Sequence, residues 1–580
     1  MSTFTSAMDS ANQGAGALVL DEKGALSLGA NAVDSRVALF FKLVRNIPKG
    51  SLASLTEMAM KQSEIDTAVL AIQTRDIREG KGERKLFRWL FWELARENVA
   101  LGIALINLLP HYGSYKDICA LHRDLEAYGT KSAKALQTHI RCKLLGDALR
   151  DQAIADSEEK AALSLVGKWL PRECSKKGKA LARKLALEMG GVSDTLVGDE
   201  LRNAACASFK KYRKMVSSLN KTLGVVETKM CKRRFREVDP GKVPAGSLKK
   251  HRRAFFNSKG LEDADRVECA EAFKAHMAKA VKGEAKVHGR TLFAHDLVKE
   301  YFPVRYGDVP MDDDVLEAQW RDLREKFSEL AKDGESPLGR YVALSDVSGS
   351  MSGTPMQVSV ALGILISELT HPAFKDRFLT FETHPQWHDL SSCSSLKDKV
   401  NSTLQSPWGG STDFERALDK ILQACVAARV PEEEMPEALV VISDMQFDQA
   451  RNRKRSWDTK YGKIRKKWRE AGYSKVPGIV FWNVRGDTKD FPVESNQKGV
   501  SMISGFSQNL LKQFMSGELL SMSPLDMLRK ILDDERYDKA RSAIADARSI
   551  DEATVEEMAA ATDRLGEIYC SVVAELKKAK

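Results

Sequence analysis

Residues 338–350 read LGRYVALSDVSGS, and this stretch decides the fold of the second half of the chain. The apolar run Tyr341–Leu344 is followed by an aspartate and two serines at alternate positions, and a helical pattern comes next. Buried strands of parallel sheets read as continuous apolar runs, and ligands bind beyond their carboxyl ends. The stretch therefore predicts a buried strand with Asp346, Ser348 and Ser350 at its functional end.

The same alternation of apolar, β-prone runs with amphipathic helical patterns continues to about residue 515. It predicts an α/β domain at residues 336–515, built on a doubly wound, mostly parallel sheet with helices on both faces. The further expected strands are 377–381, 385–390, 438–443, 477–482 and 499–503.

Two more oxygen donors follow along this domain. Thr412 lies in WGGSTDFERAL, a glycine-containing loop that enters a helical pattern, and Asp444 directly follows the apolar run ALVVIS. Hydroxyls and carboxylates are hard ligands that suit Mg²⁺, although Mn²⁺ and Ca²⁺ accept the same atoms. We therefore expect a divalent metal site, with Mg²⁺ as the first choice, formed by Asp346, Ser348, Ser350, Thr412 and Asp444.

This constellation resembles the von Willebrand factor A (vWA) domain and its metal-ion-dependent adhesion site. The DxSxS pattern matches Asp346, Ser348 and Ser350, while Thr412 and Asp444 match the middle-loop threonine and the strand-end aspartate. The resemblance implies a Rossmann-like fold and a metal whose open position accepts an acidic side chain of a protein partner. No general base stands out beside the site, so the sequence favours binding over catalysis, and a metal-dependent phosphodiesterase is the minority alternative.

Residues 36–335 read as a succession of helical patterns with few strand signals. Helices joined by short turns are typical of stacked helical pairs, and the lack of a crisp period favours an irregular α-helical repeat domain. Residues 1–35 are rich in Gly, Ala and Ser and are expected to be a flexible leader. Residues 516–580 are expected to form a C-terminal helical segment.

The segment TRDIREGKGERKLFRWLFWEL, residues 74–94, is the most distinctive part of this helical half. Together with LLPHYGSYKDI, residues 108–118, it resembles the TROVE-type module of Ro ribonucleoproteins. GKWLPRE, residues 167–173, and YRKMVSSLNKTLGVVE, residues 212–227, resemble an uncharacterised TROVE-like family that adds an A-type domain. The resemblance implies HEAT-like helices, closed into a ring in Ro proteins, with RNA on a basic surface. RDIREGKGER also reads as an inter-helix turn whose glycines cap neighbouring helices, and this interpretation stays open. The candidate RNA contacts here are Arg75, Arg78, Lys81 and Arg84.

The net charge of +10 on 580 residues is concentrated in two basic segments. Lys229–Arg253 contains ten Lys and Arg against two acidic residues, and Arg451–Arg469 contains ten against one. Cations with interleaved aromatics suit single-stranded RNA, because phosphates need cations and unpaired bases need flat faces. Solvated helix faces, with the aromatics as core anchors, are the other interpretation. The candidate RNA contacts are Lys232, Arg233, Arg234, Arg236, Lys249, Lys250, Arg252, Arg253, Arg453, Lys454, Arg455, Arg465, Lys466 and Lys467.

The sequence as a whole predicts a nonenzymatic RNA-binding protein that resembles Ro ribonucleoproteins. It would bind structured RNA or single-stranded RNA ends, and offer its metal site to a protein partner. The alternative is a metal-dependent protein-interaction scaffold without nucleic acid. No apolar stretch approaches the roughly 20 residues of a membrane span, and nine cysteines are scattered without a CxxC pair. We therefore expect a soluble cytoplasmic protein with neither a membrane partner nor structural zinc.

Overall fold

The computed structural model describes the protein over the ranges 33–157, 162–303, 313–331, 336–381, 385–405, 414–445, 457–487, 495–515, 521–547 and 550–578. It also describes the backbone of strands β1 (Leu18–Leu20) and β2 (Leu26–Leu28), which pair antiparallel within the segment that we expected to be a flexible leader. Most of the described chain is helical, and one mixed sheet of six strands follows the helices. The expectation of a helical region joined to an α/β region is thus confirmed.

The helical region consists of consecutive helices joined mostly by short turns. Polar side chains begin several of them, because the first amides of a helix lack partners within it. Ser63, Asn98 and Thr130 each accept a hydrogen bond from the amide three residues further on. The helices are α1 Ser35–Lys42, α2 Lys49–Gln62, α3 Glu64–Arg75, α4 Arg84–Ala95, α5 Val99–Tyr112, α6 Tyr115–Glu126, α7 Lys131–Asp156, α8 Val166–Trp169, α9 Lys179–Met189, α10 Gly198–Thr222, α11 Val226–Cys231, α12 Ala245–Phe255, α13 Ala264–Val281, α14 Ala294–Val298 and α15 Asp314–Ser328.

The sheet has the strand order β5-β4-β3-β6-β7-β8, in which only the edge pair β4–β5 is antiparallel. The chain leaves β3 toward β4 on one side, whereas β7 and β8 follow β6 on the other. A topological switch point, where α/β sheets bind ligands, therefore lies between β3 and β6. The strands are β3 Tyr341–Asp346, β4 Arg377–Phe381, β5 Gln386–Asp389, β6 Ala438–Ser443, β7 Gly478–Asn483 and β8 Val500–Ser504.

Helices follow or separate these strands, as the alternation of patterns predicted. Every residue of β3, β6, β7 and β8 is buried, which explains why these strands read as continuous apolar runs. Helix α16 packs on β3 and β4, and its Gly363 approaches Ser345 so closely that a side chain there would clash. The helices of this part are α16 Thr354–Leu369, α17 Leu396–Leu404, α18 Phe414–Ala427 and α19 Trp457–Glu470.

The C-terminal helices return to the helical region. They are α20 Pro524–Leu532, α21 Asp538–Ala545 and α22 Glu552–Lys578. Helix α22 packs along α7, where the hydroxyls of Thr138 and Thr562 lie 2.7 Å apart and Lys134 pairs with Asp563 at 2.9 Å. One hydrophobic core continues through the helical region, the sheet and these last helices. Among the helices of the described ranges, none has both the length and the apolar character of a membrane span.

Candidate functional site

The structure brings Asp346, Ser348, Ser350 and Asp444 together at the switch point of the sheet. Asp346 ends β3 and Asp444 directly follows β6, and neither side chain is exposed to solvent. Asp346 Oδ1 accepts a hydrogen bond from the Ser348 amide at 2.9 Å, and its Oδ2 accepts one from the Ser443 hydroxyl at 2.6 Å. The hydroxyls of Ser348 and Ser350 are 3.1 Å apart. Four of the predicted metal ligands thus share one site.

Thr412, the fifth predicted ligand, lies outside the described residues. The prediction for this position therefore stays as the sequence made it. Next to Asp444, Met445 has a φ of 65°, in the left-handed region that a non-glycine residue adopts at a cost. Its amide donates to the Ser443 hydroxyl at 3.0 Å, so the same serine holds both Asp346 and the turn after β6.

The two buried carboxylates repel each other. Burial raises the pKa of Asp346 to about 6, and the charge of Asp444 acts in the same direction. Two carboxylates held out of water demand a compensating positive charge. A divalent cation with oxygen ligands meets that demand, because the two serine hydroxyls add neutral oxygens without further charge.

Sequence reasoning missed a cation of the protein itself at this site. Arg485, two residues beyond β7, lies with Nη1 3.6 Å from Asp444 Oδ2 and donates to the backbone oxygen of Ser350 at 3.1 Å. Its Nε and Nη2 donate to Asp487 at 2.7 and 2.9 Å. The only signal in the sequence is its place after a strand that ends at the same edge of the sheet.

The residues present fit a divalent metal held by oxygen atoms. Within the described part of the chain, no group of three or more His, Cys, Asp or Glu side chains is placed to hold a metal. A metal at the switch point would therefore depend on Ser348 and Ser350 as well as on the two carboxylates. Such a metal would supply a binding position for an oxygen ligand, while Asp346 and Asp444 would hold it between β3 and β6.

Two of the predicted RNA contacts in residues 74–94 lie inside the protein. Arg75 is completely buried, and its Nη2 donates to Asp117 at 2.6 Å. Lys81 is also completely buried, and its Nζ donates to the backbone oxygen of Phe40 at 2.6 Å and to the Ser504 hydroxyl at 2.7 Å. Neither side chain is placed where RNA reaches it, so the prediction for these two residues is corrected.

The glycine-rich segment is instead a joint between the helical region and the rest of the chain. Lys81 links α1 to the end of β8, and Asp76 forms an ion pair with Arg536 of the C-terminal part. Lys512 pairs with Glu79 at 2.5 Å. The inter-helix turn, which the sequence left as an alternative, is present, while Arg78 and Arg84 stay exposed on its surface.

The first basic segment surrounds a small core of its own, formed by residues 235–315. Phe235 and Phe255 are buried in this core, and Phe255 stacks on Phe273 with ring centroids 4.7 Å apart. These aromatics anchor the segment rather than offering faces to bases, which corrects their interpretation as stacking surfaces.

The cations of this segment divide into paired and unpaired groups. Lys249 and Arg252 both pair with Glu300, at 3.1 and 2.9 Å, and Arg252 also pairs with Asp313 at 2.6 Å. Arg234 pairs with Glu237 and Arg236 lies near Glu268, both at the exposed surface. Within the described residues, no carboxylate lies at ion-pair distance from the exposed side chains of Lys232, Arg233, Lys250 and Arg253.

The second basic segment is described only in part. Arg453, Lys454 and Arg455 lie outside the described residues, whereas Arg465, Lys466 and Lys467 lie exposed on α19. Lys467 pairs with Asp419 of α18 at 2.8 Å, and Lys466 with Glu470 of its own helix at 3.7 Å. Trp468 is buried, so here too the described aromatic anchors the helix.

Comparison with known proteins finds similarity to two families without assigned function. Residues 126–332 match a domain of unknown function, DUF2828, and residues 340–555 match another, DUF7788. The chain is also 29% identical over 513 residues to uncharacterized protein L728 of Acanthamoeba polyphaga mimivirus, covering 86% of this chain and 84% of that protein. The first match lies within the helical region, and the second spans the sheet with part of the C-terminal helices. Neither of the two family descriptions, nor the name of the viral protein, assigns an activity.

Proposed function

We propose that this chain is a nonenzymatic, cytoplasmic RNA-binding protein whose helical region binds RNA and whose α/β region holds a divalent cation for a protein partner. The observation that carries the RNA proposal is the set of exposed cations of the first basic segment that have no carboxylate partner in the described residues: Lys232, Arg233, Lys250 and Arg253. Cations without a carboxylate partner produce a positive potential at the surface, and this potential attracts the phosphate backbone of RNA.

The finer fold assignment belongs to the same proposal. We assign the sheet region to the vWA type because four of the predicted site residues converge at the switch point between β3 and β6. We assign the helical region to irregular HEAT-like repeats because its helices follow one another through mostly short turns. The nine cysteines, all free, support a reducing compartment such as the cytoplasm.

The RNA proposal is tested by charge reversal at the unpaired cations. Lys232→Glu with Arg233→Glu is compared with wild type for binding of a labelled structured RNA at several salt concentrations. Each lost phosphate contact makes the slope of log K against log salt shallower, by about 0.7 on single strands. We expect weaker binding and a shallower slope.

The matched control reverses two exposed lysines that already have partners. Lys61 pairs with Glu57 at 2.7 Å and Lys131 with Glu556 at 2.5 Å, so their fields are largely compensated. Lys61→Glu with Lys131→Glu is expected to change RNA affinity much less. Equal losses in both double variants would show a nonspecific effect of net charge, and absence of binding by the wild type would exclude the RNA proposal.

The buried carboxylate pair favours a second candidate, a metal-dependent protein-interaction scaffold without nucleic acid. In this case Asp346 and Asp444 hold the cation, and an acidic residue of the protein partner completes its coordination. The scaffold predicts that proteins retained by the chain are released by EDTA and by Asp346→Ala, while RNA is absent at every salt concentration. Retention of RNA after EDTA treatment favours the first candidate.

A further inference from the structure

A cleft of about 300 Å³ lies between α4, α6, α8 and α9 on the helical region. This volume is at the lower end of the roughly 300–1,000 Å³ of small-molecule sites, so it suits a group of the size of one nucleotide. Five cationic side chains line it against two carboxylates. The cations are Arg84, Arg88, Lys116, Arg123 and Lys177, and the carboxylates are Asp117 and Glu126.

The two carboxylates are already engaged with other cations. Asp117 accepts from buried Arg75 at 2.6 Å, and Glu126 accepts from Lys184 at 3.1 Å. Both of these partners lie outside the set of five cations that line the cleft. Within the set, Arg84 also lies 3.7 Å from Asp117, while Arg88 and Arg123 lie 2.5 and 3.7 Å from Asp124. The cleft and its immediate ion-pair partners thus hold seven cations, counting Arg75 and Lys184, against three carboxylates. The field inside the cleft is therefore positive.

Cations from separate parts of the sequence converge at the mouth of the cleft. Partial burial lowers the pKa of Lys116, the charges of Arg84 and Lys250 lower it further, and the charge of Asp117 opposes them. Lys250 belongs to the first basic segment, and no carboxylate within the described ranges lies at ion-pair distance from Lys116 or Lys177. Lys250, an exposed cation of the first basic segment, therefore lies close enough to the cleft for its charge to act on Lys116.

One wall of the cleft is the ring of Trp169, which ends α8 and is half-buried. Lys116 Nζ and Lys168 Nζ lie 5.4 and 5.6 Å from its ring centroid. The backbone oxygen of Trp169 faces the Cys119 sulfur at 3.6 Å, which ties α8 to α6. Both ammonium groups lie over the ring, so a base that stacks on Trp169 displaces at least one of them. An aromatic ring with nearby cations is the arrangement that binds unpaired bases together with their phosphates.

We propose that this cleft binds a single unpaired nucleotide of an RNA strand, with the base against Trp169 and the flanking phosphates on Arg84, Lys116 and Lys177. The inference rests on the proposed RNA function and specifies where single-stranded RNA is held. The strand continues from the cleft toward Lys250, whose charge already acts on Lys116.

The test uses the full chain and two labelled probes, an unstructured oligouridine and an RNA duplex of the same length. Trp169→Ala is expected to weaken oligouridine binding about 5- to 150-fold, because that is the range for losing one base–aromatic stack. Duplex binding is expected to change less than threefold, because paired bases do not enter the cleft. Trp169→Phe is expected to retain most of the oligouridine affinity.

The matched control is Trp89→Ala. Trp89 is also half-buried and also flanked by two lysines, Lys49 at 5.3 Å and Lys85 at 4.5 Å, but it does not line the cleft. Its substitution is expected to leave oligouridine binding unchanged. Lys116→Glu tests the cleft through the charge of an exposed side chain while keeping the Trp169 ring, and is expected to weaken oligouridine binding more than tenfold.

The outcomes separate this inference from the proposal on which it rests. If the wild type binds oligouridine and both Trp169→Ala and Lys116→Glu bind it equally well, the cleft assignment is overturned and RNA binding stands. If Trp169→Ala weakens duplex and oligouridine binding equally, or Trp89→Ala matches it, base stacking at this wall is overturned. If the wild type binds neither probe, the RNA function and the cleft assignment are overturned together.

Discussion

At the scale of single residues, the buried carboxylate of Asp346 offers the sharpest test of the metal site. We expect Mg²⁺ to raise the melting temperature of the wild type, because a ligand that binds only the folded state stabilises it by about 2.7 kcal/mol at 100 times its Kd. Asp346→Asn is expected to abolish this rise, since it removes a charged ligand. Isothermal titration with Mg²⁺ and with Mn²⁺ provides a second measurement.

The control for this experiment is Asp389→Asn on the edge strand β5. The Asp389 carboxylate is exposed and pairs with Arg377 at 3.0 Å, away from the switch point. Its substitution is expected to leave the Mg²⁺ effect intact. An equal Mg²⁺ effect in Asp346→Asn and wild type would argue against a metal ligand at residue 346.

His295 gives a prediction of acid sensitivity. Burial lowers its pKa to about 3, Arg45 and Lys299 act in the same direction, and Asp296 opposes them. The folded state thus holds the imidazole neutral, while the unfolded chain protonates it near pH 6.5. The stability from this group is complete above pH 6.5 and is lost as the pH falls from there toward 3, by up to about 1.36 kcal/mol per pH unit.

The measurement compares melting temperatures at pH 7.5 and 4.5. His295→Phe keeps an aromatic ring between Phe293 and Phe506, which contact the imidazole at centroid distances of 5.2 and 5.5 Å. We expect the variant to lose less stability than the wild type between the two pH values. Exposed His371→Phe serves as the control, and a wild-type-like acid loss in His295→Phe would contradict the prediction.

At the scale of elements, two substitutions in the segment of residues 74–84 test packing and RNA contact separately. Lys81→Met removes the donor to the backbone oxygens of Phe40 and Leu43. The Phe40 oxygen still accepts from the Ser504 hydroxyl at 2.5 Å, but the Leu43 oxygen loses this donor, and an unpaired buried acceptor costs about 1–3 kcal/mol. We expect a lower melting temperature and unchanged RNA affinity in the folded protein. Arg84→Met, at an exposed cleft residue, is expected to weaken RNA binding and to lower the melting temperature less than Lys81→Met, because Arg84 is exposed and lies 3.7 Å from Asp117, which keeps buried Arg75 as a partner. Weaker RNA binding by Lys81→Met at a temperature where it is folded would contradict this division.

The strands, the switch-point residues and the segment of residues 74–84 differ in how far the sequence could predict them. The strands were predictable because burial on both faces leaves continuous apolar runs such as Ala438–Ser443. Asp346, Ser348, Ser350 and Asp444 were predictable because each follows or ends such a run. The burial of Lys81 was not, because its partner Ser504 is 423 residues away and a basic glycine-rich turn reads the same whether exposed or covered. Trp169 and Arg485 were not predictable as site residues. Trp169 lies in GKWLPRE, which carries only a family resemblance, and Arg485 only follows a strand, so the tertiary fold alone places them beside charged groups.

At the scale of the whole molecule, α22 stabilises the helical region from the far end of the sequence. Val572 is completely buried, whereas Ala574 on the same helix is exposed. Val572→Asp is expected to cost about 3–5 kcal/mol, because it buries a charge without a partner. Ala574→Asp adds the same charge at the surface and is expected to cost little. Hydrogen exchange in α7 measures the effect, and equal protection of α7 in the two variants would contradict it.

The return of α22 to α7 also has a consequence for biosynthesis. A ribosome that adds about 5–20 residues per second needs roughly 20–80 s between completing α7 and completing α22. During this interval α7 is finished but its packing partner has not yet been synthesised. Helix α1 likewise lacks β8, the strand on which it packs. The nascent helical region therefore exposes apolar surface that only the last part of the chain covers. Chaperones that shield such surface are expected to act on this chain until translation reaches α22.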